Sequence, residues 1–177
     1  MMIAARTLEP TPVTGALSTE LAISPLIELT ADRSVVSPGE SVTLTGRLVI
    51  PKKPYGDLNQ DGVVDVKDIF TIGKAYGSTP DSPNWNPDAD VNDDGKVDVK
   101  DLFSVVRFYG QEANGKTIEI QQLVDDSWVT LGTVQTGLGT YNGQPHRGVF
   151  SFVVEIPSDF PTPSTLYLRA YFPGGEY

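Results

Sequence analysis

Two stretches decide how this chain reads: Asp57-Leu-Asn59-Gln-Asp61-Gly62-Val63-Val-Asp65-Val66-Lys67-Asp68 and, 33 positions later, Asp90-Val-Asn92-Asp-Asp94-Gly95-Lys96-Val-Asp98-Val99-Lys100-Asp101. Each places oxygen-bearing side chains at positions 1, 3, 5, 9 and 12, with Gly at 6. A hard cation such as calcium takes six to eight oxygen ligands, and a loop with alternating donors wraps around it. Gly62 and Gly95 allow the sharp mid-loop turn that a side chain would obstruct. Position 7 contributes only a backbone carbonyl, so Val63 and Lys96 are acceptable there. The expected ligands are therefore Asp57, Asn59, Asp61, Val63, Asp65 and Asp68 for one ion, and Asp90, Asn92, Asp94, Lys96, Asp98 and Asp101 for a second. Asp at position 9 would act directly or through water. A pair of solvated acidic turns is the bland alternative, and recurrence of the full pattern with its Gly argues against it.

Helical periodicity follows each loop. Val66, Ile69, Phe70 and Gly73 fall at helical spacing, as do Val99, Leu102, Phe103 and Val106. Lys74 and Arg107 lie in the last turns, where cations suit the helix dipole. Gly77 and Gly110 are expected to stop the helices. Residues 78–89 form a Pro/Asn-rich connector whose Trp85 is expected to pack on a small core. Tyr55 and Tyr109 flank the segment and are expected to clasp its entry and exit strands.

The rest of the chain has a different period. Leu26–Thr30, Ser41–Ile50, Lys116–Val124, Trp128–Val134, Gly148–Ile156 and Thr165–Phe172 alternate apolar and polar residues between turn signals. Six short strands of this kind predict an all-β sandwich. Residues 1–24, rich in Thr, Pro, Ser and Ala, read as a flexible leader. The expected division is 1–24 leader, 25–55 plus 111–177 sandwich, and 56–110 a small α-helical calcium module inserted between the second and third of the six strands. Such an insertion requires the module's ends to lie close together.

Composition narrows the function classes. The 177 residues carry a formal net charge of −10 and no cysteine. Two calcium ions would bring that charge to about −6. A chain with no basic patch is unsuited to nucleic acid. Without thiols there are no disulfides, thiolate metal sites or Cys nucleophiles. No apolar run reaches the roughly 20 residues of a membrane span, and no signal peptide is visible at the start. Catalytic residues are not apparent. Asp61/Asp65 and Asp94/Asp98 could imitate a glycosidase carboxylate pair, but the metal spacing accounts for them. His146, in Gly143–Gly148, reads as a surface-loop residue without a nucleophile partner. Trp128 and the strand aromatics read as core sooner than as a sugar platform.

Residues 56–110 resemble a dockerin domain. The likeness rests on the duplicated Gly56–Gly77 and Ala89–Gly110, which share Asp, Asn and Asp at positions 1, 3 and 5, the Gly, the Val-Asp-Val-Lys-Asp run, and the later Phe, Tyr and Gly. As in that family, each loop has the ligand spacing of an EF-hand but no preceding helix: Pro51–Gly56 and Asn84–Asp88 contain Pro or Gly. Asp at position 12, where EF-hands carry Glu, also fits. The resemblance implies a non-enzymatic, calcium-held module that docks one helix face on a cohesin domain. In the family, positions 10 and 11 carry much of the partner choice, here Val66-Lys67 and Val99-Lys100. The best-known clostridial type has small hydroxyl residues there, so a different cohesin type is implied, and the Val-Lys pair resembles dockerin-like modules of archaeal surface proteins. The repeated pair also implies two docking orientations related by a half-turn.

The flanking strands resemble an immunoglobulin-like domain of bacterial surface proteins, through Val36–Gly46, Gly115–Ile120, Trp128–Val134 and Leu168–Gly174. Such domains carry one further strand after the Tyr-Phe-Pro-Gly turn. The seventh strand is therefore expected to be missing, with the last strand's edge unpaired, and the chain is expected to be a C-terminally cut gene product. Together the resemblances imply an extracellular or cell-surface location. Two alternatives stand beside cohesin docking: a calcium-stiffened structural or adhesive surface segment, and a non-catalytic part of a secreted polysaccharide-degrading protein.

Overall fold

Alternation of β-branched and polar residues produces strands with one face inward. In Ser41–Val49 every second residue from Val42 onward is buried. A computed structural model describes residues 2–5, 26–161 and 165–174. Its elements are β1 (Met2–Ala5), β2 (Leu26–Ala31), β3 (Ser41–Val49), α1 (Val66–Ala75), α2 (Val99–Arg107), β4 (Thr117–Val124), β5 (Ser127–Gln135), β6 (Gly137–Tyr141), β7 (Gln144–Glu155) and β8 (Thr165–Tyr171).

The strands form two four-stranded sheets, ordered β1-β8-β4-β5 and β2-β3-β7-β6. All pairings are antiparallel except β1 with β8, which is parallel, with Met2 opposite Thr165. Val42, Leu44, Leu48, Ile118, Ile120, Phe150, Leu166 and Leu168 are buried between the sheets. The core does not stop at the sandwich. Ile50, Val64, Ile72, Val97 and Val105 belong to the same cluster of buried residues, so the helical segment shares its apolar interior with the sheets.

All six expected strands form, and the helical segment lies between β3 and β4 as anticipated. Two strands were not anticipated. One is β6, which falls between the expected strands Trp128–Val134 and Gly148–Ile156. Asn142 and Gly143 both have positive φ, 50° and 78°, the geometry of a tight two-residue hairpin turn, and Asn-Gly is the dipeptide best suited to it. His146 is accordingly on β7 and not in a loop; Arg47 Nη1 lies 2.7 Å from its Nδ1. Burial, then the Arg47 charge, lowers its pKa.

The other is β1, which falls inside the expected leader and pairs with β8. The edge of β8 expected to be bare is therefore covered over Thr165–Leu168. Period alone could not find β1, because four residues are too few to show one. The rest of the leader, residues 1 and 6–24, lies outside the described residues.

Candidate calcium loops and docking face

The two loops fold alike because each carboxylate accepts backbone N–H groups inside its own loop. Asp57 accepts from Asp61 N at 3.2 Å and Gly62 N at 3.0 Å. Asn59 Oδ1 accepts from Asp61 N at 2.9 Å, and Asp61 Oδ1 from Val63 N at 3.2 Å. Asp68 reaches across the loop to Leu58 N at 2.8 Å, Asn59 N at 3.2 Å and Asp65 N at 2.8 Å. Asp90, Asn92 and Asp101 repeat the pattern with Asp94 N, Gly95 N, Val91 N, Asn92 N and Asp98 N. Gly62 and Gly95 sit at φ +85° and +83°, where a Cβ is unfavourable.

Positions 9 and 12 have a second role. Asp65 and Asp98 are the N-caps of α1 and α2, accepting from Lys67 N and Lys100 N. Asp68 and Asp101 complete the capping box by accepting from the N-cap amide. A cap of this kind contributes about 1 kcal/mol to helix stability. The helix starts are thus built into the loops.

Within each loop the expected ligand residues are linked by these hydrogen bonds to the loop's own backbone. Asp57, Asp68 and Asp101 are fully buried and Asp90 nearly so. Burial, then the charges of Asp68 and Asp61, push the Asp57 carboxyl up to about 7, against the opposing pull of its two backbone N–H bonds. Burial likewise raises Asp68. Buried like charges of this kind call for a positive counterpart. Among the described residues no three His, Cys, Asp or Glu side chains converge on one point as a ready-made metal cluster. Chemically the expected ligand set is all oxygen, suiting calcium and excluding soft metals.

Lys67 and Lys100, which the resemblance places among the partner-choosing positions, are each paired within their own loop. Lys67 Nζ lies 2.6 Å from Asp61 Oδ2 and 3.7 Å from Asp65 Oδ2; Lys100 Nζ lies 2.8 Å from Asp94 Oδ2. Both lysines remain largely exposed, so these pairs contribute little to stability.

Beside the loops lies a face that helical spacing did not single out. Val66 and Phe70 on α1 and Val99, Phe103 and Val106 on α2 are exposed, with Phe70 at 64% and Phe103 at 67%. Tyr76 and Tyr109, just after the helices, are also exposed. Ile72 and Val105 turn inward instead and are buried. Each helix therefore has two apolar stripes, one for the core and one for solvent. The signal was present: residues 66, 70 and 73 are a stripe distinct from 69, 72 and 75. Large exposed apolar patches are a general feature of interaction sites. Aligned positions of the two repeats have matching exposure, at Val66/Val99, Phe70/Phe103 and Tyr76/Tyr109, which gives the face an approximate twofold character.

The entry and exit of the segment do meet, through a different pair from the one expected. Tyr55 stacks edge-on against Phe108, ring centroids 4.9 Å apart, while Tyr109 points to solvent. Trp85 packs partly buried on the core as expected.

The family model of the dockerin type I domain matches residues 55–108. This segment is a dockerin domain. Among solved structures, the type II cohesin-dockerin domain from Bacteroides cellolosolvens is similar at 28% identity, over 34% of this chain and 90% of that chain, with a TM-score of 0.29. No curated protein matches the chain. The dockerin domain is a docking module and not a catalytic one.

Proposed function

We propose that this chain is a calcium-held docking unit whose dockerin domain binds a cohesin domain in an extracellular or cell-surface assembly. The observation that carries the reading is the exposed apolar face of α1 and α2, placed beside two oxygen-rich loops in a segment matched by the dockerin family. A soluble domain exposes paired Phe side chains at equivalent helix positions at a cost, which burial against a partner's flat surface would offset.

In this reading Asp57, Asn59, Asp61, the Val63 carbonyl, Asp65 and Asp68 hold one calcium ion. Asp90, Asn92, Asp94, the Lys96 carbonyl, Asp98 and Asp101 hold the other. Calcium supplies the charge that the buried carboxylates lack. The loops, through their capping boxes, then set the starts of both helices. Val66, Lys67, Val99 and Lys100 border the docking face, and Phe70 and Phe103 are its apolar anchors. Millimolar calcium outside the cell would fill even weak sites. Among the described residues no helix is long and apolar enough to cross a membrane.

We read the chain as two units, residues 25–55 plus 111–177 as the sandwich and 56–110 as the insert. The order β2-β3-β7-β6 facing β8-β4 follows the A-B-E-D and F-C strands of an immunoglobulin-like sandwich, and β1 lies on the far side of β8, where strand G would lie. A second reading, calcium as a stiffener without a docking partner, draws support from the core shared between helices and sheets. A parent protein that degrades polysaccharide is compatible with either.

The test is surface-plasmon binding of the chain to a panel of type I and type II cohesins, with calcium and with EDTA. Calcium-dependent binding that disappears in the Phe70→Ala/Phe103→Ala double variant is expected. A calcium-loaded, folded chain that ignores every cohesin would favour the stiffener.

A further inference from the structure

The two loops are near copies, but their surroundings differ. The chain leaving α1 (Gly77-Ser78-Thr79-Pro80) and the chain leaving α2 (Gly110-Gln111-Glu112-Ala113) occupy equivalent places in the repeat. Each pairs with position 8 of the opposite loop. Val97 N donates to Ser78 O at 3.0 Å and Gly77 N to Val97 O at 2.8 Å; Val64 N donates to Gln111 O and Gly110 N to Val64 O, both at 2.9 Å.

There the equivalence ends. Ala113 N goes on to donate to Gly62 O at 2.9 Å, closing an antiparallel bridge between Val63 and Glu112. Pro80 stands at the place of Ala113 and has no N–H to give Gly95.

The paired segment of the first loop is the lead-in to β4, and it is tied into the sandwich. Ala113 is fully buried, and its carbonyl accepts from Thr136 Oγ1 at 2.6 Å. Asn114 Oδ1 accepts from Gly148 N at 2.9 Å on β7. Arg147, also on β7, lies against Gly62: a Cβ at Gly62 would be 2.7 Å from that of Arg147. Arg147 Nε, which has no aligned hydrogen bond, is 3.3 Å from Glu112. At Gly95 a Cβ would meet nothing within 4 Å. The second loop touches the entry segment through Lys53 Nζ and Asp93 Oδ1 at 2.6 Å, but Asp93 is three-quarters exposed and the pair is weak.

The bridge has a consequence for the donors. Its bonds come from Gly62 and Val64, so Val63's own N–H and C=O point the other way. The N–H goes to Asp61 Oδ1, and the carbonyl, the position-7 donor, lies on the loop's side.

We propose that the first loop is a calcium-operated clamp between the docking module and the sandwich, while the second serves the module alone. This rests on reading both loops as calcium sites. The sandwich's lead-in strand orients a donor in the first loop, so calcium there and the pairing of Gly62 with Ala113 favour each other. By linkage the two effects are equal in size.

The test uses the full chain and calcium alone. Hydrogen exchange is followed at Ala113 and Gly148 in wild type, Asp61→Ala and Asp94→Ala, with and without calcium, alongside calorimetric titration. Calcium is expected to slow exchange at both amides in wild type and Asp94→Ala, and not in Asp61→Ala. Ala113→Pro, which gives the first loop the second loop's surroundings, should weaken one site by about five- to tenfold, the worth of one or two hydrogen bonds. If that variant does not fold, Asn114→Ala loosens the same tie from the surface and should weaken the same site. Two ions bound in wild type, with equal protection in both Asp variants, would overturn the clamp alone. No calcium bound at all would overturn the calcium reading and the clamp with it.

Discussion

Asp57 gives a prediction that changes with calcium. Its side chain is fully buried, within the Coulomb reach of Asp68 and Asp61, and its pKa rises from 3.8 to about 7. In metal-free protein the folded state therefore holds a proton that the unfolded chain releases. A raised carboxyl pKa contributes stability that is fully present below about pH 4 and lost as pH rises through about 7. At about 1.4 kcal/mol per unit, the shift corresponds to at most about 4 kcal/mol across that window.

Metal-free protein should accordingly melt at a higher temperature at pH 5 than at pH 7.5. With about 2–4 °C per kcal/mol for a chain of this size, the difference is up to about 10 °C. Calcium at pH 7.5 replaces the proton and should raise the melting temperature again. Asp57→Asn removes the buried charge, and its amide nitrogen leaves one of the two N–H groups that Asp57 accepts, from Asp61 or Gly62, without an acceptor. Without metal it should depend on pH less than wild type does, the remainder coming from Asp68; with calcium it should be less stable than wild type, having lost a ligand. The assay is thermal unfolding followed by circular dichroism at 222 nm in chelator-stripped buffer. A wild-type melting temperature that is flat from pH 5 to 7.5, or an Asp57→Asn variant with the same pH dependence as wild type, would refute the reasoning.

Further outcomes follow from the packing. Ile72→Ala empties a buried site between α1 and the core and should cost about 2–5 kcal/mol by urea unfolding. Gly143→Val, at φ +78° in the β6–β7 turn, should cost roughly 1–2 kcal/mol and leave calcium binding unchanged in a calorimetric titration. Lys67→Ala with Lys100→Ala removes two exposed pairs and should change stability by less than about 1 kcal/mol each. The same pair should slow association with a cohesin in a salt-dependent way, because rim charges act on the on-rate.

The loops were legible as a repeat, since Asp57 to Asp68 and Asp90 to Asp101 carry the same alternating acceptors around a central Gly, and both fold through the same backbone N–H bonds. The helices were legible from their own period, at Val66, Ile69 and Phe70 and at Val99, Leu102 and Phe103, while the caps at positions 9 and 12 went unread. Six strands were readable from alternation. What was not read has physical causes. Asn142-Gly143 was a usable hairpin signal overshadowed by neighbouring glycines. β1 is too short to carry a period. Phe70 and Phe103 were counted with the apolar periodicity, and only packing separates the stripe of Ile72 and Val105 from the one left in water. Tyr55 meets Phe108 and not Tyr109 because Phe108 falls where the first repeat has Ala75, on the buried side. The tie between Gly62 and Ala113 depends on a contrast, Ala113 against Pro80, that is visible only once the two exits are superposed.

The measurement that bears most directly on the account is a calorimetric titration of calcium into the metal-stripped chain, with circular dichroism recorded at each step. Two ions bound per chain, with a gain of helical signal as they bind, is the predicted result. Absence of binding, or binding with no change in helix, would contradict it.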